Sequence, residues 1–119
     1  MTIKFHEPQT YLSSATTHGG IVYVSGLAAD DISQGIEGQT SQTLASIDRV
    51  LAQAGSDKSN LMRVEIWLAD MDDFDAMNRI YVDWLDPEHI PARVCVEARL
   101  WDRAAKIEIM VTAAGPVKT

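Results

Sequence analysis

Cysteine is almost absent from this 119-residue chain. Cys95 stands alone, so no intrachain disulfide can form and no thiolate cluster can hold zinc. Basic residues are also scarce: ten Lys and Arg stand against 17 Asp and Glu, the formal net charge is -7, and no Lys/Arg cluster occurs. Phosphate backbones are held by basic patches, so nucleic acid is not an expected partner. No apolar run approaches the length of a membrane span. The opening Met1-Thr2-Ile3-Lys4-Phe5-His6-Glu7-Pro8 lacks the apolar stretch of a secretion signal. These absences predict a cytoplasmic protein without membrane contact. A phosphate-binding glycine loop, a dinucleotide fingerprint and a G-x-S-x-G elbow are missing as well. His6, His18 and His89 are scattered without ligand spacing, so no metal site is expected.

What is present is enough apolar material, 46% of residues, for one packed domain over residues 1–119 with a tail from about Gly115. Short extended segments are predicted at Thr2–Phe5, Tyr11–Thr17 and Ile21–Ser25, with Gly19-Gly20 as the turn between the second and third. From Gln39 to Ala54 the apolar period becomes helical: Leu44, Ile47, Leu51 and Ala54 share a face, and Gly55 follows as the stop. Leu61–Ala69 alternates, with Met62, Val64, Ile66 and Leu68 on one side and Arg63, Glu65 and Trp67 on the other. Asp70 or Asp72 caps a second helix whose stripe is Phe74, Met77, Tyr81, Trp84 and Leu85, ended by Asp86-Pro87. That stripe reads as core packing. Ala92–Leu100 and Ala105–Ala113 read as closing strands, paired as an antiparallel hairpin through Trp101–Ala104. Two helices on one face of a mixed sheet give a two-layer α+β domain.

The run Pro91-Ala92-Arg93-Val94-Cys95-Val96-Glu97 holds the residue of most interest. Arg93 falls within a strand that reads as buried and β-branched, where a guanidinium needs a partner. It can clamp a carboxylate ligand with two hydrogen bonds, or pair with one of the chain's own acids; the strand alone supports both equally. The sheet face that the helices leave uncovered carries charges mixed with Cys95, Met110 and Trp67. It fits an oligomer interface with a wet cleft, and it fits a solvated face with salt bridges. Cys95 has no histidine base on its strand and reads as a half-buried small residue rather than a nucleophile.

Four segments in order are similar to the reactive intermediate deaminases, the RidA or YjgF superfamily. Ser25-Gly26 resembles the family's S-G element. Asp70-Met71-Asp72-Asp73-Phe74-Asp75-Ala76-Met77-Asn78, with Tyr81 following, resembles its D-x-x-D-F-x-x-x-N segment. Pro91-Ala92-Arg93-Val94-Cys95-Val96 resembles P-A-R-x-C-V, and Lys106-Ile107-Glu108-Ile109 its closing K-I-E-I strand. The resemblance runs from about Tyr11 to Ala114. Departures are Leu27 where the family often has Gln, Gln9-Thr10-Tyr11 in place of G-P-Y, and Trp101 in place of Pro, which mark a divergent subgroup.

The resemblance implies a chorismate-mutase-like fold and a homotrimer with sites between subunits. It implies hydrolysis of reactive enamines and imines, the type being 2-aminoacrylate through 2-iminopropanoate to pyruvate and ammonia. No metal or organic cofactor is implied. Arg93 and Glu108 would be the catalytic pair, Arg93 as carboxylate clamp and Glu108 to orient water and move protons. Arg93, Cys95, Gly26, Asn78 and Tyr11 would line the substrate, a small 2-imino or 2-oxo acid. A tight final hairpin would put Glu97 nearer to Glu108 than Arg93, so that Arg93 and Glu108 meet across a subunit boundary. The alternative is a non-catalytic trimeric binding module for small carboxylates that uses the same Arg93. A ribonuclease role, as in some relatives, fits poorly with the acidic charge.

Overall fold

The computed structural model describes residues 2–115. Six strands and two helices follow in the order β1 (Lys4–Pro8), β2 (Ser13–His18), β3 (Ile21–Val24), α1 (Ile36–Gln53), β4 (Leu61–Leu68), α2 (Phe74–Trp84), β5 (Ala92–Glu97) and β6 (Ile107–Ala114). Short 3-10 turns at Lys58–Asn60 and Met71–Asp73 precede β4 and α2. The strands form one mixed sheet in the order β1-β2-β3-β6-β4-β5. This is the expected two-layer α+β arrangement. No helix among the described residues is long and apolar enough to cross a membrane.

The helices form where the apolar spacing demands them. On α1, Ile36, Thr40, Thr43, Leu44, Ile47, Val50 and Leu51 are buried, a stripe at three- and four-residue intervals. The helix begins three residues before the expected Gln39. Its end is a Schellman motif: Gly55 N–H donates to Ala52 O and Ser56 N–H to Leu51 O, with Gly55 at φ +80°. Gly19 and Gly20, at φ +60° and +79°, make the tight β2–β3 turn that twisted hairpins require. Asp70 accepts the Asp72 N–H at 2.9 Å and so opens the turn leading into α2. One core joins Leu44, Ile47 and Leu51 of α1 and Met77 of α2 to Val22, Val64, Ile66, Leu68, Ile107, Ile109 and Val111 of the sheet.

Gln39 is fully buried and fully bonded. Its two amide N–H groups are shared among Ile32 O, Gln34 O and Ala104 O at 2.9–3.2 Å, and its Oε1 accepts from Lys106 N–H at 2.9 Å. It thereby joins the loop before α1 to the loop before β6.

Several expectations are corrected. The two closing strands do not pair. β6 is antiparallel to both β3 and β4, and β5 is parallel to β4, with Val64 opposite Arg93 and Trp67 opposite Val96. The physical reason is the intervening helix: β4, α2 and β5 form a crossover unit, which brings its strands together in parallel. β6 has the strongest apolar alternation, with Ile107, Ile109, Val111 and Ala113 at 1% exposure or less, and takes the centre of the sheet. β5 is left as an edge strand and is mostly exposed, so Arg93 is not in a buried strand. Met62 does not share the core face. A register shift between Leu61 and Arg63 places Leu61 inside and Met62 outside. Gly115, expected to begin the tail, donates to Gly20 O at 2.6 Å; the rest of that tail lies outside the described residues.

Candidate functional site

The register decides which side of the sheet each site residue occupies. Directly opposed residues point the same way. Arg93 is opposite Val64 and Cys95 opposite Ile66, both core residues, so Arg93 and Cys95 lie on the helix side at the β5 edge. Glu108 is opposite Trp67, which in turn is opposite Val96, so all three lie on the open face. The expectation that Cys95 belongs to the uncovered face is therefore reversed.

The first cluster is built on α2. Phe74, Asn78 and Tyr81 recur at four and three residues and so share one face of the helix. Arg93 reaches across from β5. Its Nη1 donates to Asn78 Oδ1 at 2.6 Å, and its guanidinium carbon lies 5.1 Å from the Tyr81 ring centre and 5.6 Å from that of Phe74. Among the described residues no carboxylate lies within ion-pair distance of Arg93; the ion pairs are Arg49–Glu7 and His89–Asp86. In an acid-rich chain, this arginine is oriented by a neutral amide and two aromatic faces. Its remaining N–H donors are not committed to an internal acid.

Two neighbours are neutral at physiological pH. Burial pushes up the pKa of the Tyr81 hydroxyl, against a smaller downward pull from Arg93, and that hydroxyl has no hydrogen-bond partner among the described residues. Burial likewise raises the Cys95 thiol, again opposed by Arg93, which argues against a thiolate nucleophile. Beside Arg93 a groove of about 410 Å³ is lined by Asn78, Tyr81, Val82, Leu85, Ile90 and Pro91.

The second cluster is on the open face. After Tyr23 pairs with Thr112, the chain bulges before Leu27 and Ile109 exchange hydrogen bonds at 2.8 and 2.9 Å. Gly26 sits in that bulge, directly under Glu108. A Cβ on Gly26 would overlap the Glu108 Oε2, so the absence of a side chain is what admits the carboxylate. Ser25 holds the bulge to β2, its hydroxyl donating to Ser13 O at 2.6 Å and its N–H to Ser14 O at 2.9 Å. Tyr11 is 96% exposed in the β1–β2 turn, at the same end of the sheet as Gly26.

The expected site residues thus fall into two groups, Arg93, Cys95 and Asn78 in one and Gly26 and Glu108 in the other, with Tyr11 projecting nearby. One sheet separates the groups, with β4 between β5 and β6. Glu97 joins neither. It accepts the Met71 N–H at 2.8 Å and anchors the turn before α2; by register it lies nearer to Glu108 than Arg93 does, as expected, but β4 runs between them and the tight hairpin does not form. Phe74 and Tyr81, read from sequence as core, do pack with the core; what that reasoning missed is that they also face Arg93. The available signal was Asn78, a polar residue in the same helical stripe.

The family model described as Endoribonuclease L-PSP matches residues 3–115. A RutC family protein of Haemophilus influenzae is 38% identical over 114 residues, covering 95% of this chain and 98% of its own length. The RutC family protein YoaB of Escherichia coli is 37% identical over 114 residues, covering 96% and 99%. The crystal structure of a YjgF protein family member from Neisseria meningitidis superposes with a TM-score of 0.96 at 35% identity, covering 99% of this chain and 98% of that one.

Proposed function

This chain belongs to the YjgF/RidA family, and on that premise we propose that it hydrolyses reactive imines of small 2-oxo acids to the oxo acid and ammonia. The observation that carries the reading is Arg93: a guanidinium fixed by Asn78, Phe74 and Tyr81, with no acid partner among the described residues of a chain that has 17 Asp and Glu. A 2-imino acid supplies the missing carboxylate, and the planar fork receives it with two parallel hydrogen bonds.

The second half of the chemistry falls to Glu108. Starting from the protonated imine, water adds to the trigonal carbon while Glu108 takes one of its protons, and the C=N electron pair moves onto nitrogen to give a neutral amine. Glu108 gives that proton to the amine nitrogen, and as the C–N bond breaks it takes the proton of the hydroxyl, whose O–H electron pair forms the carbonyl; the proton then passes to the departing ammonia. Backbone groups at Cys95 and Gly26 hold the substrate on either side. Most of the rate enhancement comes from orientation, which few residues can supply.

Within one chain the sheet lies between Arg93 and Glu108. The reading therefore includes a homotrimer. The open face of one subunit, carrying Glu108, Gly26 and Tyr11, meets the β5 edge of the next, carrying Arg93, Cys95 and Asn78. Exposed Tyr23, Val94 and Val96 on the open face are the apolar residues such a contact would cover. Substrate would come from cytoplasmic enzymes that release unstable enamines.

The test couples an amino-acid oxidase, which generates imines from several amino acids, to semicarbazide as a trap. Wild type is expected to remove imine before it is trapped, and Arg93→Ala is not. No acceleration with any imine overturns the deaminase reading and favours a carboxylate-binding module instead. Glu108→Gln separates the roles, since it should keep ligand binding and lose turnover.

A further inference from the structure

The groove beside Arg93 is larger and more apolar than a three-carbon substrate requires. Its volume is about 410 Å³, several times that of 2-iminopropanoate, and among the described residues Arg93 is the one cation in its lining. Asn78, Tyr81, Val82 and Leu85 form one wall along α2, and Ile90 and Pro91 form the other as the chain approaches β5. Val82 is 63% exposed and Ile90 71%. Single exposed aliphatic residues are ordinary on protein surfaces. These two instead converge on one depression with a cation that has no acid partner among the described residues. The lining also includes Tyr81, whose buried hydroxyl is unpartnered among the described residues. A buried polar group without a partner is rare enough to call for an explanation, and a bound ligand that reorders Arg93 above it supplies one.

A cation beside aliphatic walls recognises an anion with an apolar tail. We propose that this groove is the side-chain subsite of the imine site, with the carboxylate on Arg93 and a branched aliphatic chain lying between Val82, Leu85 and Ile90. The preferred substrates are then imines of five- and six-carbon branched 2-oxo acids rather than 2-iminopropanoate. The chemistry performed on them rests on the deaminase reading; the binding preference does not.

Stable 2-oxo acids separate the two. Isothermal titration of pyruvate and of 4-methyl-2-oxopentanoate into the full chain measures the subsite without any turnover. The branched acid is expected to bind about tenfold more tightly, since three added carbons leave water for a half-open apolar groove. In the double variant Val82→Ser/Ile90→Ser, whose positions are exposed enough to spare the fold, that ratio should fall to about one. Arg93→Ala should weaken both acids. Equal affinities in wild type, an advantage that survives the double variant, or no binding of either acid overturns the subsite. Selective binding without hydrolysis of any imine keeps the subsite and removes the deaminase reading. Hydrolysis of imines with equal binding of the two acids does the reverse.

Discussion

The two faces of the sheet are made by the same strands and have opposite characters. On β6, Ile107, Ile109 and Val111 are essentially inaccessible beneath the helices, while Glu108, Met110 and Thr112 alternate with them on the open side. The covered face buries one amide side chain, Gln39, and bonds it completely. The open face leaves Tyr23 51% exposed and Val94 and Val96 42% exposed. Two arginines repeat the contrast. Arg49 on α1 donates to Glu7 at 2.7 Å and ties the β1 edge to the helix layer, whereas Arg93 is held by an amide and two rings. Residues whose interactions are all internal hold the fold together. Residues fixed in place but left with unused donors are the ones available for chemistry.

That division is broken or sharpened by substitution. Ile109→Ala removes a fully buried side chain and should cost about 2–5 kcal/mol by chemical denaturation, independent of protein concentration. Met110→Ala, next to it on the open side, should instead weaken association between copies, so that dissociation on dilution begins at a higher protein concentration than in wild type. Arg93→Ala should lower imine turnover roughly a hundredfold, the loss of a charge-assisted pair of hydrogen bonds, while the denaturation midpoint barely moves. Gln39→Ala leaves three carbonyls and one N–H without their partner and should cost about 2 kcal/mol, with faster amide exchange in both loops it joins.

Gly26→Ala should displace the Glu108 carboxylate rather than the backbone. Turnover is then expected to fall by about tenfold, at less than about 1 kcal/mol of stability. The smallest effect belongs to Glu7. Hydrogen bonds from Ser14, then Gln53 and Arg49, hold its carboxyl below the usual carboxylate range. Its contribution is therefore complete above the unfolded carboxylate pKa and fades as pH falls through the lowered folded value. Glu7→Gln should melt slightly below wild type at neutral pH and converge with it once the pH has fallen through the lowered carboxyl pKa.

Much of the fold was legible in the sequence because local periodicity decides it. Leu44, Ile47 and Leu51 fixed one helix face, and Val64, Ile66 and Leu68 one strand face, before any tertiary information. The pairing of β5 was not legible. Val94, Cys95 and Val96 have the composition of a buried strand, and the short Trp101–Ala104 segment resembles a hairpin turn; only the α2 crossover makes the pairing parallel and leaves β5 at the edge. The Met62 error has a similar origin, since a one-residue bulge is invisible to an alternation of two. Arg93 stood out from its strand, and Gly26, Asn78 and Glu108 entered as candidates through the motifs that carry them. That Asn78, Phe74 and Tyr81 orient Arg93 was not, because it depends on how α2 lies across the β5 edge.

The central claim is that each site is completed by two subunits, one giving Arg93 and its neighbour giving Glu108. The most direct test mixes two inactive variants, Arg93→Ala and Glu108→Gln, by joint refolding at equal amounts. Sites between subunits predict recovery of about a quarter of wild-type imine turnover, because a random ring brings an intact Arg93 to an intact Glu108 at about one interface in four. No recovery above the separate variants would contradict the claim, placing both residues in the same chain's site or leaving the chain without this chemistry.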